Sequence, residues 1–345
     1  MRVKLDTPIS RVASALLFSA LLTLGVREVR GLGGSAPDFS CSQSSPTEVT
    51  IQVKSGETGS SIARQLFSKG VTKSSQAFFR VAVSDPKASQ IAPGAHRLNK
   101  EICAKEALTQ LLDSKRLIGL VNIVEGSWIS EVLPQMYKAG FSTKEVADAL
   151  KVVEKPKGFT SVEGLLFPAQ YSFAQGTSAL TAITSMMSNS ERAMQDAGFF
   201  SSESKFSAQQ LLIIASLIQA EGKLQDFRKI SQVIQNRLKI GMPLQFDSTV
   251  HYIKKLRGNI FLSTQSTLIS SPYNTYKRYG LPPGPINNPG LSAMRAAVNP
   301  KPGNWIYFIT VAPSDTRFTA NLDEFNTWKL EYKKNLRAGL FGSSR

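Results

Sequence analysis

The apolar and polar positions of this chain fall into three stretches. Val12–Val26 is fifteen uncharged, mostly apolar residues. Gly31–Thr47 follows, rich in Gly, Ser and Pro, and reads as a tether. From Val49 the pattern becomes that of a folded protein. Val49, Ile51 and Val53 alternate with polar residues as a strand does. Residues 58–70 open on polar side chains, place Ile62, Ala63, Leu66 and Phe67 on one helical face, and stop at Gly70. Ser75–Val83 predicts a second helix, Pro93-Gly94 a turn into His96–Leu98, and Ala104–Leu112 a further helix. This β-α-α-β order predicts a small α/β module over 49–118.

Beyond it the elements lengthen. Gly119–Val124 predicts an apolar strand, and Ser130–Ala139 and Ser142–Val152 predict helices that each open on a serine. Val162–Phe173 reads as a packed aromatic loop containing Glu163-Gly164, and Leu180–Ala197 as a helix. Leu211–Gly222, capped by Ser207, places Leu211, Ile214, Ala215, Ile218 and Gly222 at helical spacing. Asp226–Ile240 is amphipathic, with Phe227, Ile230, Val233, Ile234 and Leu238 on one face, and Pro243–Asp247 enters an extended segment. Ser271–Gly290, dense in Pro, Gly, Asn and Tyr, has little backbone freedom to lose and suits either a preorganised binding wall or a rigid connector. Leu291–Ala297 predicts a helix, Trp305–Val311 a buried strand and Asn326–Leu336 a final helix. The fold class is α+β. Its parts are a short N-terminus (1–11), an apolar anchor (12–28), a linker (29–48), the small module (49–118) and a larger domain (119–340).

Composition narrows the partners. The 345 residues carry 41 Lys+Arg against 25 Asp+Glu, a net charge of +16, which favours polyanions or an anionic membrane face. The basic residues are scattered, without zinc-ligand spacing or an RNA-binding aromatic pattern, so nucleic acid is not the expected partner. Two His and two Cys leave little for a multi-ligand metal site. Arg2, Lys4 and Arg11 precede the Val12–Val26 run, which is short of the ~20 residues of a spanning helix. It reads as an uncleaved signal anchor or as a cleaved signal peptide, and either carries the bulk of the chain across the membrane. In that compartment Cys41 and Cys103 could form a disulfide or remain two separate thiols.

The candidate chemistry gathers at Glu221. Leu217 and Ile218 precede it by four and three residues, so the carboxylate continues the flank of an apolar face. Desolvation disfavours a carboxylate's charged form, and this is how a Glu becomes a proton donor near neutral pH. The plainer reading is a solvated residue near a helix end.

Several motifs here resemble those of the YceG-like endolytic murein transglycosylases. The helix ending Ile218–Glu221 matches a family helix that ends Glu-x-Glu. Asn236-Arg237-Leu238, Gly241-Met242, Leu244-Gln245 and Asp247 follow in the family's spacing. Tyr273–Tyr276, Gly280–Ile286, Asn288-Pro289-Gly290 and Ala296–Pro300 complete the series, with Val124-Glu125-Gly126 and Glu163–Pro168 upstream. The chain also departs from the pattern. Gln219 stands for the first Glu of Glu-x-Glu, and Gly222 for the following Thr. The family's Asp-Pro-Thr-Val is Asp247-Ser248-Thr249-Val250, and Thr316 and Phe325 stand where His is usual.

The resemblance implies an N-terminal membrane anchor, a LysM-like small module and a catalytic domain on the outer side of the cytoplasmic membrane. It implies lytic cleavage of the MurNAc-GlcNAc β-1,4 bond to 1,6-anhydro ends, with Glu221 as acid and then base, and no cofactor or metal. Gln219 and Asn274 are candidates to bond sugar N-acetyl or hydroxyl groups. Tyr273, Tyr276 and Gln245 would line the cleft, with Asn236, Arg237 and Asp247 beside it. Asp247 reads equally well as a turn residue. Implied partners are peptidoglycan glycan strands, the cytoplasmic membrane and peptidoglycan synthases. Two alternatives stay open: a muramidase using Glu221 and Asp247, and a non-catalytic glycan-binding scaffold.

Overall fold

The computed structural model describes residues 36–42, 45–54, 56–202, 204–257 and 262–341. The apolar run expected as an anchor (12–28) lies outside them. Among the described residues no helix is long and apolar enough to cross a membrane. The chain divides into two compact units between Ile118 and Gly119.

In the first unit, strand β1 (Glu48–Val53) pairs antiparallel with β2 (Gly94–Asn99), Ile51 opposite His96, and β2 pairs with the short β3 (Leu117–Ile118). Between β1 and β2 run helices α1 (Gly59–Ser68) and α2 (Ser75–Ser84), capped by the Thr58 and Ser74 hydroxyls; α3 (Ala104–Leu112) follows β2. Ile51, Leu66, Phe78, Leu98, Ile102 and Leu111 form the core. Cys41 and Cys103 are joined in a disulfide, which ties the segment before β1 to the start of α3. Asp38 takes the place of a capping side chain there, accepting the Ala104 N–H.

The second unit is mainly helical. It contains the two-stranded sheet β4 (Leu120–Asn122) and β5 (Gln170–Ser172), then α4 (Ile129–Lys138), α5 (Thr143–Val152) and α6 (Ala179–Ala197). α7 (Ala208–Glu221) is its centre: Leu211 to Ile218 are all buried, so the helix is enclosed on every side. Its amino end is fastened by a reciprocal cap, in which Ser207 Oγ accepts the Gln210 N–H and Gln210 Oε1 accepts the Ser207 N–H. Around it lie α8 (Phe227–Lys239), α9 (Asp247–Lys254) and α10 (Leu291–Val298). The hairpin β6 (Tyr307–Ala312) and β7 (Asp315–Thr319) packs with α11 (Leu322–Arg337).

Five expectations change. The segment that Pro243–Asp247 enters is not extended: it turns helical at Asp247, with Thr249 and Val250 buried. The 162–173 segment is not wholly loop, because Gln170–Ser172 completes the sheet with β4. α4 opens on Trp128 rather than Ser130, because Glu131 Oε2 accepts the Trp128 N–H at 2.8 Å. The β6 strand is half-buried apart from Val311, and α11 begins a turn early because Asn321 caps it.

Two contacts lock the Pro-rich segment onto α7. The buried Ser216 hydroxyl accepts the Ile286 N–H at 3.1 Å, and the Ser216 carbonyl accepts Asn287 Nδ2 at 2.8 Å. Asn288 then joins three loops: Oδ1 accepts the Leu166 N–H at 2.8 Å and Nδ2 donates to the Ser127 carbonyl at 2.9 Å. Gly164 fits beneath this segment only without a side chain, for its φ is +88° and a Cβ would lie 2.7 Å from Pro285.

Candidate active site

Glu221 is the last residue of α7, so its carboxylate leaves the helix where the backbone dipoles present their negative end. Gly222 continues in extended conformation, and a side chain there would run into Ile230 Cδ1. The carboxylate meets the first turn of α9. Ser248 donates both its hydroxyl and its backbone N–H to Oε1, the latter at 3.4 Å. Burial against the core pushes the Glu221 pKa up to about 7. The Ser248 hydroxyl bond opposes that rise, the Asp247 charge adds to it, and the Ser248 N–H and Arg237 oppose it. A rise from 4.5 to about 7 corresponds to roughly 3 kcal/mol of disfavoured ionisation. The six large aliphatic residues of α7, at about 1.5–3 kcal/mol each, readily support that cost.

Around Glu221 the residues divide between site and scaffold. Asp247 is exposed and accepts the Tyr276 hydroxyl. Burial and the adjacent Asp247 carboxylate keep the Tyr276 phenol protonated. Arg237 is buried; Nε donates to the Ile306 carbonyl at 2.7 Å and Nη1 to the Leu244 carbonyl, so its charge serves the site from below. Asn236 is scaffold: Nδ2 holds the Gly303 and Trp305 carbonyls at 3.0 and 2.8 Å, and Oδ1 accepts Gln232. Gln219 Oε1 accepts the Gly290 N–H at 3.0 Å at the start of α10, which leaves its amide NH₂ for other contacts. Asn274 is fully buried, with Nδ2 on the Thr267 and Ile269 carbonyls and Oδ1 on the Tyr276 N–H. It builds the loop rather than meeting a ligand. Gln245 has φ +51° and an exposed side chain, with its N–H on the Thr275 carbonyl.

Tyr273 belongs to a second cluster, with its ring 5.3 Å from Tyr252, which meets Trp128 at 5.9 Å. Arg257 lies 3.7 Å over Trp128 and pairs with Glu131, and Lys255 lies 3.8 Å over Tyr252. Beneath them Glu163, 4% exposed, accepts the Ile129 N–H at 3.0 Å and the Tyr252 hydroxyl at 3.2 Å. Burial pushes its pKa up to about 7, and these two donors restrain the rise. Sequence reasoning singled out neither Ser248 nor Tyr252 as a site residue, and treated Glu163 only as a landmark. Among the described residues no cluster of three His, Cys, Asp or Glu gathers that could hold a metal ion.

One carboxylate poised between its neutral and charged forms, backed by an apolar helix, makes this an acid–base site. The chain belongs to the YceG-like family, whose pattern it matches over residues 51–330. It is 32% identical over 310 residues to the endolytic murein transglycosylase of Bacillus subtilis, covering 84% of this chain and 86% of that protein. A protein of the same name from Streptococcus pneumoniae D39 is 34% identical over 168 residues, 47% of this chain and 30% of its own length. Among solved structures, a yceG-like protein from Listeria monocytogenes aligns with TM-score 0.52 and 26% identity, covering 82% of this chain and 99% of its own.

Proposed function

We propose that this chain is an endolytic peptidoglycan lytic transglycosylase that cleaves the MurNAc-GlcNAc β-1,4 bond and leaves 1,6-anhydro-MurNAc ends. The observation that carries the reading is Glu221 itself, protonated up to about pH 7 and able to give and retake one proton. Glu221 donates its proton to the GlcNAc O4 as the C1–O4 bond breaks. The resulting carboxylate takes the proton of the MurNAc C6 hydroxyl, and O6 bonds to C1. Glu221 ends protonated, and no water is consumed. A hydrolase would need a second carboxylate to activate water or attack C1. Asp247, whose charge acts on Glu221 and which accepts the Tyr276 hydroxyl, is the candidate, and it keeps a muramidase as the second reading.

The same reading takes residues 12–28 as a single-pass anchor in the cytoplasmic membrane, with the catalytic unit on its outer side. The Cys41–Cys103 disulfide suits an oxidising compartment, and the net charge of +16 suits a glycan bearing acidic stems. The 49–118 unit is read as a LysM-like module that holds the strand. Peptidoglycan synthases at the same membrane are the expected protein partners, with termination of nascent glycan strands as the outcome.

The test is digestion of purified murein glycan by the full chain, wild type beside Glu221→Gln, with mass spectrometry of the ends. Anhydro ends from wild type alone support the reading. Reducing ends replace it with the muramidase, and binding without cleavage replaces it with the scaffold.

A further inference from the structure

Glu221 has two carboxylate oxygens in unequal surroundings. Oε1 receives both donors of Ser248, whereas Oε2 takes no hydrogen bond among the described residues. The donors come from the second residue of α9, in the first turn of an eight-residue helix, where the positive end of the helix dipole also favours the carboxylate. Ser248 itself is anchored through its neighbours. Thr249 Oγ1 donates to the Phe246 carbonyl at 2.7 Å, and Thr275 Oγ1 accepts the Phe246 N–H at 2.9 Å. Thr249 and Thr275 are both buried, so the turn that presents Ser248 is held from beneath.

We propose that Ser248 is a positioning residue for Glu221: its hydroxyl and N–H hold Oε1, fix the plane of the carboxylate, and leave Oε2 to carry the reacting proton. The inference rests on the transglycosylase reading for the identity of the reaction, but the geometry stands apart from it. In the acid step Oε2–H gives its proton to the glycosidic oxygen, and the charge that appears on the carboxylate is received by the two donors on Oε1. In the second step Oε2 takes the proton of the C6 hydroxyl and that charge disappears. A donor that strengthens only when the carboxylate is charged favours the intermediate over both end states. Nearby groups set the background: Asp247 on α9 disfavours the charge, Arg237 on α8 favours it, and the Tyr276 phenol stays neutral.

The hydroxyl is removed with Ser248→Ala and returned with Ser248→Thr, each in the full chain. Two readouts are taken across pH 5–9: glycan cleavage resolved into kcat and KM, and the titration of the Glu221 side-chain carbon by NMR, assigned by difference from Glu221→Gln. Ser248→Ala is expected to lower kcat about tenfold with KM within about twofold, the loss of one hydrogen bond to a charged acceptor. The Glu221 midpoint and the alkaline limb of kcat both move upward by roughly half to one pH unit, because the donor stabilises the charged form. Ser248→Thr restores both. An unmoved midpoint with wild-type kcat, accompanied only by a lower melting temperature, would leave the Ser248 bond a purely structural tie and overturn the proposal. Should wild type cleave no glycan, the functional reading falls by itself. The NMR midpoint then still decides: an upward move in Ser248→Ala supports the positioning role, and an unmoved one ends it.

Discussion

Tyr252 donates its hydroxyl to Glu163 from the helix whose second residue donates to Glu221. α9 thus holds one raised carboxylate at each end, Ser248 to Glu221 at its amino end and Tyr252 to Glu163 at 3.2 Å one turn on. Both carboxyls are pushed up to about 7 by burial, and for both the α9 donors counter the shift. The same helix therefore touches both the acid of the candidate reaction and the aromatic cluster of Trp128, Tyr252 and Tyr273.

The two carboxyls dictate how stability varies with pH. In the unfolded chain each loses its proton near pH 4.5, whereas the folded protein retains it to about 7. Between those values the native state binds more protons, so stability falls as pH rises and levels off above about 7. Glu163→Gln and Glu221→Gln each remove one such penalty. Each variant is expected to be more stable than wild type at pH 8 by about 1–3 kcal/mol, with the gain vanishing near pH 4.5. Urea unfolding at both pH values measures this. A Glu221→Gln protein no more stable than wild type at pH 8 would refute the raised pKa.

Tyr252→Phe removes one of the two donors on the buried Glu163 and keeps the ring against Tyr273 and Trp128. A hydrogen bond to a charged acceptor contributes about 1.5–3 kcal/mol and one to a neutral acceptor about 0.5–1.5. The variant should therefore lose more stability at pH 8, where Glu163 is ionised, than at pH 6. Equal losses at the two pH values would mean that the hydroxyl bonds something other than the carboxylate.

Cys41 and Cys103 lie 62 residues apart in sequence, and closing a loop of that length restricts the unfolded chain by about 4 kcal/mol in the chain-entropy account. A Cys41→Ser/Cys103→Ser double variant should lose stability of that order, read as a lower denaturant midpoint for the first unit. His96 adds a second sensitivity in the same unit. It is buried, with Nε2 against the Ala92 carbonyl at 2.7 Å, and burial holds its pKa below 6.5. Below pH 6.5 the unfolded chain takes up a proton that the folded unit resists, so wild type and variant alike should lose stability in mild acid.

Much of this was legible in the sequence because periodicity and capping act locally. Ser207, Thr58 and Ser142 cap the helices they precede, and the apolar spacing before Glu221 pointed to its raised pKa. What escaped depends on partners far away in the chain. Ser248 appeared only as a serine in place of proline, and nothing local says that it faces a carboxylate 27 residues earlier. Asn274 carries the polar groups of a ligand-binding residue, but whether an amide meets a sugar or its own loop depends on burial, and here it is enclosed. Gln219 reads from the sequence as an amide for the sugar, and its Oε1 has a structural partner in the Gly290 N–H.

Asn288 offers the sharpest test of the Pro-rich wall, because one side chain joins three loops. Its Oδ1 accepts the Leu166 N–H, its Nδ2 donates to the Ser127 carbonyl, and its own N–H donates to that same carbonyl at 2.9 Å. Asn288→Ala leaves the buried Leu166 N–H without its acceptor. Each stranded polar group costs about 1–3 kcal/mol, so a loss of roughly 2–4 kcal/mol is expected in chemical denaturation. Asn288→Asp separates the two bonds: it retains an acceptor for Leu166 N–H but sets a carboxylate oxygen against the Ser127 carbonyl, and it should be no more stable than Asn288→Ala. Because Asn287 and Ile286 are bound to α7 through Ser216, a loosened wall shifts the chain flanking Glu221, and the glycan-cleavage kcat should fall together with stability. Wild-type kcat in an Asn288→Ala protein that has lost the expected stability would show that the wall supports the fold without setting the geometry of the site.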